Sequence, residues 1–221
     1  MKTKIHFIAA AVALAAASAA HAQTAGSWMA RIGATMISPD VKSGDLSAPS
    51  LPGTKVDVGD NTQLAGGITY MVTDNIAIDL PLALPFHHEL TGAGAIGGVG
   101  KIGELRALPV TVIGQWRFGV ANAQMRPYLG AGVTYAKTYR ERSTAALSAL
   151  TGGSPTTFTV ASKLAPTLAA GVSYAVNERW FVEGAVHKTF LKQTAKLSTG
   201  QSIDLKVDPW AISVAVGTRF R

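Results

Sequence analysis

Along most of this chain, large apolar residues recur at every second position, with small or polar residues between them. The first run sets Trp28, Ala30, Ile32, Ala34 and Met36 against Arg31, Gly33 and Thr35. The second sets Leu64, Gly66, Ile68, Tyr70 and Val72 against Gln63, Ala65, Gly67 and Thr69. Beyond Asp74-Asn75 the third runs through Ile76, Ile78, Leu80, Leu82, Leu84 and Phe86, and the fourth through Leu108, Val110, Val112, Trp116 and Phe118. The later half repeats the scheme from Leu129 to Tyr139, Leu164 to Tyr174, Trp180 to Phe190 and Trp210 to Phe220. A period of two belongs to a pleated strand whose two faces meet different surroundings, so the pattern predicts eight β-strands. Their connections alternate: short near 73–75, 119–125 and 175–179; long at 38–61, 87–103 and 140–162; and a shorter last one near 198–204. A helical turn is expected at Ser143–Leu150 in the third long connection.

The two faces differ in a way that decides the surroundings. The bulky parity is Leu, Ile, Val, Trp, Tyr and Phe; the other is Gly, Ala, Ser and Thr with isolated charges. A soluble ligand barrel keeps its bulky set inside and a charged set outside, and a β-sandwich likewise needs polar outer faces. Here the small parity carries too little charge to face water, but it suits the cramped interior of an eight-stranded barrel. The bulky parity then faces lipid, and closure removes the strand edges that hydrocarbon does not tolerate. Aromatics fall near the predicted strand ends, where interfacial girdles belong: Trp28, Tyr70, Phe86, Trp116, Phe118, Tyr139, Tyr174, Trp180, Trp210 and Phe220. The expected fold is all-β, an eight-stranded antiparallel up-and-down transmembrane β-barrel with both termini on the short-turn side.

Composition adds the compartment. Lys2 and Lys4, the apolar run Phe7–Ala17 and Ala20-His21-Ala22 form the three parts of a cleaved secretory signal, so residues 1–22 are expected to leave and 23–221 to form the barrel. Removing the two lysines lowers the formal net charge of +7, and no basic block remains that would suit nucleic acid. With no cysteine, thiolate metal sites and cysteine catalysis are excluded, and no metal or cofactor is expected. Charged residues make up only 15% of the chain, which makes those on the inward parity informative. Arg31, Asp79, Arg117, Glu183 and Arg219 all fall near the periplasmic rim if the termini lie there, and are expected to pair as a plug. An ion or proton relay is the competing reading of the same charges. His87, His88 and Glu89 are the one local cluster with catalytic chemistry, but adjacent strand residues point to opposite faces, so they do not converge on one site.

Several motifs, taken in order, resemble the OmpW family of outer-membrane proteins. They are Asp74-Asn75-Ile76 after Thr69-Tyr70, then Pro85-Phe86-His87-His88, Ile102-Gly103 to Leu108-Pro109, and Arg126-Pro127-Tyr128-Leu129-Gly130-Ala131-Gly132-Val133-Thr134-Tyr135, the most specific stretch. Asn177 with Trp180-Phe181, and Asp208-Pro209-Trp210 with Arg219-Phe220, complete the set. Two departures stand out: Arg221 follows the aromatic that ends family members, and the first and third long connections are this chain's own. The resemblance implies an outer-membrane barrel with a narrow, apolar lumen, a passive route for small hydrophobic molecules that leave sideways through the wall. Pro81, Pro85, Pro109 and Pro166 lie within strands, where a missing N–H interrupts the ladder, and are the expected places for a lateral gap or for plain bulges and strand ends. The implied partners are outer-membrane lipid, small hydrophobic solutes and the outer-membrane assembly machinery. The alternative is a structural or receptor barrel whose long extracellular loops bind partners; catalysis is not expected.

Overall fold

Alternating runs close on themselves. The computed structural model describes residues 23–153 and 155–220; the expected signal segment 1–22 and Arg221 lie outside them. In chain order the elements are β1 (Trp28–Ser38), β2 (Lys42–Ser43), β3 (Thr54–Val58), β4 (Asn61–Met71), β5 (Ile76–Ala83), β6 (Phe86–Gly94), β7 (Lys101–Arg117), β8 (Met125–Ser143), the short helix α1 (Ala145–Leu150), β9 (Phe158–Val160), β10 (Lys163–Ala175), β11 (Trp180–Thr189), β12 (Lys192–Leu197), β13 (Ser202–Lys206) and β14 (Trp210–Phe220). Eight of them form a closed antiparallel barrel in the order β1-β4-β5-β7-β8-β10-β11-β14. The ring shuts by pairing β14 back on β1, from Trp28↔Phe220 to Ser38↔Trp210. Closure gives every spanning strand a paired neighbour on each side, which is the condition for a sheet in hydrocarbon.

The bulky parity lies outside. Val214 is 67% exposed and Ile78 50%, and Leu64, Leu129, Val133 and Leu168 share that face. The inward parity supplies Gly33, Ala65, Gly67, Gly130 and Gly132, whose minimal side chains leave room for the few large groups that project inward. A nitroxide label at Val214 or Ile78 should report acyl chains by collision with oxygen rather than with a water-soluble relaxer; an aqueous signal at both would contradict the orientation of the wall.

Beyond the lipid-facing belt, the connections read as long loops turn out to be ordered wall. β3 pairs with β6, and β6 with the upper part of β7. A second sheet runs β2-β13-β12-β9. Leu90, Ile102, Leu105, Leu147 and Phe158 form one buried cluster there, and Ala195, Ile203 and Leu205 another. The connection expected at 198–204 is in fact a hairpin, β12–β13, in a crossing that reaches from β11 to Trp210. Short strands among Gly, Ser, Thr and Pro show too few alternations to be seen as a period. The helical turn expected at Ser143–Leu150 is present as α1, capped by Thr144, whose hydroxyl accepts from the Leu147 N–H at 3.4 Å.

Phe86 corrects the aromatic girdle. It is fully buried, beside His88, rather than at the membrane interface. Leu84 and Pro85 interrupt the strand, and the pairing with β7 shifts by one residue across them, from Asp79↔Ile113 to Phe86↔Ala107. A one-residue slip exchanges the two faces, so Phe86 turns inward and His87 outward.

Candidate functional site

The inward charges meet near the end of the barrel that carries the termini. Arg31 on β1 grips Asp79 on β5 with two parallel bonds, Nη1 to Oδ1 at 2.7 Å and Nη2 to Oδ2 at 2.8 Å, and its Nε lies 3.0 Å from Glu183 Oε1 on β11. Thr69 completes this end, donating its hydroxyl to Asp79 Oδ1 at 2.6 Å and accepting from Arg31 Nη1 at 2.9 Å. The other Glu183 oxygen accepts from Arg117 Nη2 at 3.5 Å. Arg117 also donates to Gln115 Oε1 and to Gln23 Oε1, and its guanidinium lies 4.6 Å from the centroid of the Tyr128 ring. Glu183 thus bridges two arginines, and Arg31 in turn links the two carboxylates, which come from strands on opposite sides of the barrel. Such a pairing is what makes buried charge tolerable, since an isolated one is strongly disfavoured.

Arg219 does not join, contrary to the sequence expectation. Glu183 is level with Ala215 of β14, and Arg219 lies four residues further along that strand, about 13 Å at the rise of an extended chain. Its guanidinium lies 5.5 Å from the Phe181 ring centroid instead, and its Nε has no hydrogen-bond partner among the described residues.

Two members of the floor were not anticipated. Arg126 is fully buried and donates to the carbonyls of Gln23 at 3.1 Å, Asp74 at 2.6 Å and Phe118 at 3.3 Å, tying the segment before β1 to two short turns. It shares inward parity with Tyr128, a signal that was available. Gln23 is 1% exposed and reaches Ser173 as well as Arg117, but it precedes every strand and so has no period to betray it.

Above the floor is a cavity of about 260 Å³, running from Arg31 and Glu183 at its base to Leu147 and Phe158 at the far end. Its wall is mostly hydrocarbon, crossed by a belt of hydroxyls. Thr111, Thr134, Thr167 and Thr189 form a chain of Oγ1 contacts at 2.9, 2.6 and 2.9 Å across β7, β8, β10 and β11. Each hydroxyl is satisfied by its neighbour, so the belt is less polar towards a solute than its composition suggests.

The wall of this cavity is interrupted between β5 and β7. Pairing between β5 and β7 lapses after Asp79↔Ile113 and resumes only at Phe86↔Ala107. Pro81 and Pro85 lie in the unpaired segment on one side and Pro109 in the facing segment on the other, and Pro81, Leu82, Ala83 and Pro109 all line the cavity. The other ladders of Pro81 and Pro109 are intact, to Gly67 and Ala136 respectively. Pro166 is elsewhere: it pairs with Val133 within a continuous β8–β10 ladder, just beyond the Thr167↔Thr189 end of the β10–β11 ladder.

The histidines diverge as their spacing requires. His87 faces outward, its Nε2 3.3 Å from Glu104 Oε2, whereas His88 faces the cavity with Nδ1 2.8 Å from the Gly59 carbonyl. The carbonyl can only accept, so Nδ1 carries the proton. Burial holds the His88 pKa below its ordinary value, against the Gly59 bond that acts to raise it. The neutral ring therefore stabilises the fold fully above about pH 6.5, and that contribution is lost as the pH falls below it towards the lowered value. Relative to intrinsic exchange rates, the amides around Gly59 should be less protected at pH 5 than at pH 7.5, with the difference removed in His88→Gln.

Comparison with known proteins follows the same outline. A model described as the OmpW family matches residues 24–220. Outer membrane protein W of Vibrio cholerae serotype O1 is 32% identical over 224 residues, covering all of both chains. The dibenzothiophene metabolism operon protein PahQ of Pseudomonas aeruginosa is 28% identical over 197 residues, 87% of this chain and 88% of that one. The crystal structure of the outer membrane protein OprG from Pseudomonas aeruginosa superposes with a TM-score of 0.82 at 27% identity, covering 91% of this chain and all of the other.

Proposed function

This chain belongs to the OmpW family of Gram-negative outer-membrane proteins, and from that premise we propose that it is a passive channel for small hydrophobic molecules. A solute enters from the extracellular end, occupies the apolar cavity, and leaves sideways between β5 and β7 into the membrane. The observation that carries this reading is the coincidence of three features on one cavity: a mostly hydrocarbon lining, a floor tied shut by Arg31, Asp79, Glu183 and Arg117, and an unpaired stretch of wall at Pro81 and Pro109. A floor of paired charges bars water and ions from the straight path, and an apolar solute gains nothing by crossing it. The unpaired stretch opens towards acyl chains, where such a solute is more soluble than in the periplasm. That one relative is named for the metabolism of dibenzothiophene, an apolar aromatic, agrees with this substrate class. Residues 1–22 are proposed to be the cleaved export signal.

The test is uptake of an apolar alkane or aromatic into cells with and without the protein; equal rates would end the proposal. A sharper version uses Pro81→Val with Pro109→Val, which returns an N–H to each side of the gap. Uptake should fall severalfold while the barrel becomes harder to unfold. Unchanged uptake would locate the exit elsewhere.

A further inference from the structure

We propose that the outer wall carries a binding site for a phosphate group of a phosphorylated membrane glycolipid, built by Arg106, Arg140 and Arg142 just above the lipid-facing belt. The site is a polar cleft of about 80 Å³ lined by those three arginines with His87 and Glu104. That is room enough for one tetrahedral oxyanion.

The backbone has been bent to assemble it. Between Glu104↔Arg142 and Arg106↔Tyr139, two residues of β8, Arg140 and Glu141, stand opposite the single residue Leu105 of β7. Such a bulge re-aims side chains. Below it β8 sends odd-numbered residues outward, Val133, Tyr135 and Lys137; beyond it, Arg140 and Arg142 are the exposed ones. Without the extra residue both would point into the apolar cavity. Arg140 adopts φ 54°, a left-handed conformation costly for a side chain of its size, and strain of this kind collects where a site needs it.

Charge favours an anion. Glu104 is occupied by Lys101 at 2.7 Å and His87 at 3.3 Å, with Arg142 at 3.9 Å, and Lys101 also holds Glu89 at 2.9 Å. Arg106 and Arg140 have no carboxylate partner among the described residues. Lys137, outward and exposed on β8, extends the positive surface towards the belt. Position favours a lipid over a free ion. Outward-facing Val110 is 46% exposed and lies only four residues below Arg106 on β7, about 13 Å along the strand, so acyl chains packed on the belt bring a headgroup to the cleft. This site is independent of the transport reading, and either can fail alone.

Native mass spectrometry of the detergent-solubilised protein tests it, with diphosphorylated lipid A, its fully dephosphorylated form and inorganic phosphate as probes. One diphosphorylated lipid should be retained at least about tenfold more tightly than the dephosphorylated one, as expected for charge-assisted bonds. Arg106→Gln should lower that preference about tenfold. Arg140→Gly, which keeps the left-handed backbone, should do the same, and Lys196→Gln on β12 should not. Equal retention of both lipids, unchanged preference in both arginine variants, or displacement of the lipid by equimolar inorganic phosphate would overturn the assignment.

Discussion

Arg31→Ala should leave the barrel both leaky and weakened. Among the described residues, the substitution removes the one group that touches both carboxylates, leaving Asp79 with Thr69 and Glu183 with its 3.5 Å contact to Arg117. Asp79 is fully buried and Glu183 nearly so. Deleting one partner of a buried pair typically costs about 3–5 kcal/mol, most of it the penalty of the charge left behind. Unfolding in urea should therefore begin at markedly lower concentration. Planar-bilayer recordings should show small ion conductance where the unaltered barrel shows none, because water drawn to the stranded carboxylates opens the floor. Arg31→Met combined with Asp79→Asn removes one opposite pair together and leaves Glu183 to Arg117, and should recover much of the stability. A silent, fully stable Arg31→Ala protein would mean that the floor is held by Arg126 and Gln23 alone. Arg219→Ala, by contrast, should have little effect on conductance, since that arginine lies apart from the carboxylates.

Gly132→Ala should prevent most of the chain from folding. A methyl group at this inward position of β8 would overlap the Val112 carbonyl oxygen of β7 and press on Ile113 Cα at 2.8 Å. Both obstacles are backbone, so neither can rotate away. Relief requires β7 and β8 to separate where their ladder is continuous from Ala107↔Thr138 to Arg117↔Tyr128. Forced shifts of this kind reach about 3 kcal/mol and can exceed it. Folded barrel, measured by its altered gel mobility before heating, should drop sharply. Gly184→Ala is the matched control, because a Cβ there meets nothing within 4 Å and should be tolerated.

The barrel itself was legible because lipid imposes one rule on every spanning strand: Ile78, Val112, Leu129 and Val214 must all face out, and alternation records it. The floor was partly legible for the same reason, since Arg31, Asp79, Arg117 and Glu183 interrupt a parity that is otherwise small and neutral. What alternation cannot carry is height. Arg219 shares their parity but not their level, and stagger between strands fixes level through pairing rather than through sequence position. Phe86 was misplaced because Leu84-Pro85 changes the phase of the pattern without breaking its rhythm. The extracellular wall was missed because β2, β3, β9 and β13 are each five residues or fewer, too short to establish a period. Arg126 was missed for want of a carboxylate: it answers to backbone carbonyls, which every residue has.

The union of β1 with β14 has a consequence in time. Residues that must lie side by side come from the earliest and the latest strands of the barrel to be synthesised, Trp28 meeting Phe220 and Ser38 meeting Trp210. A growing chain therefore cannot commit to its final form early, and a message cut short before Trp210 yields no smaller working version. Ring closure in this protein therefore certifies that every strand from β1 to β14 has been made.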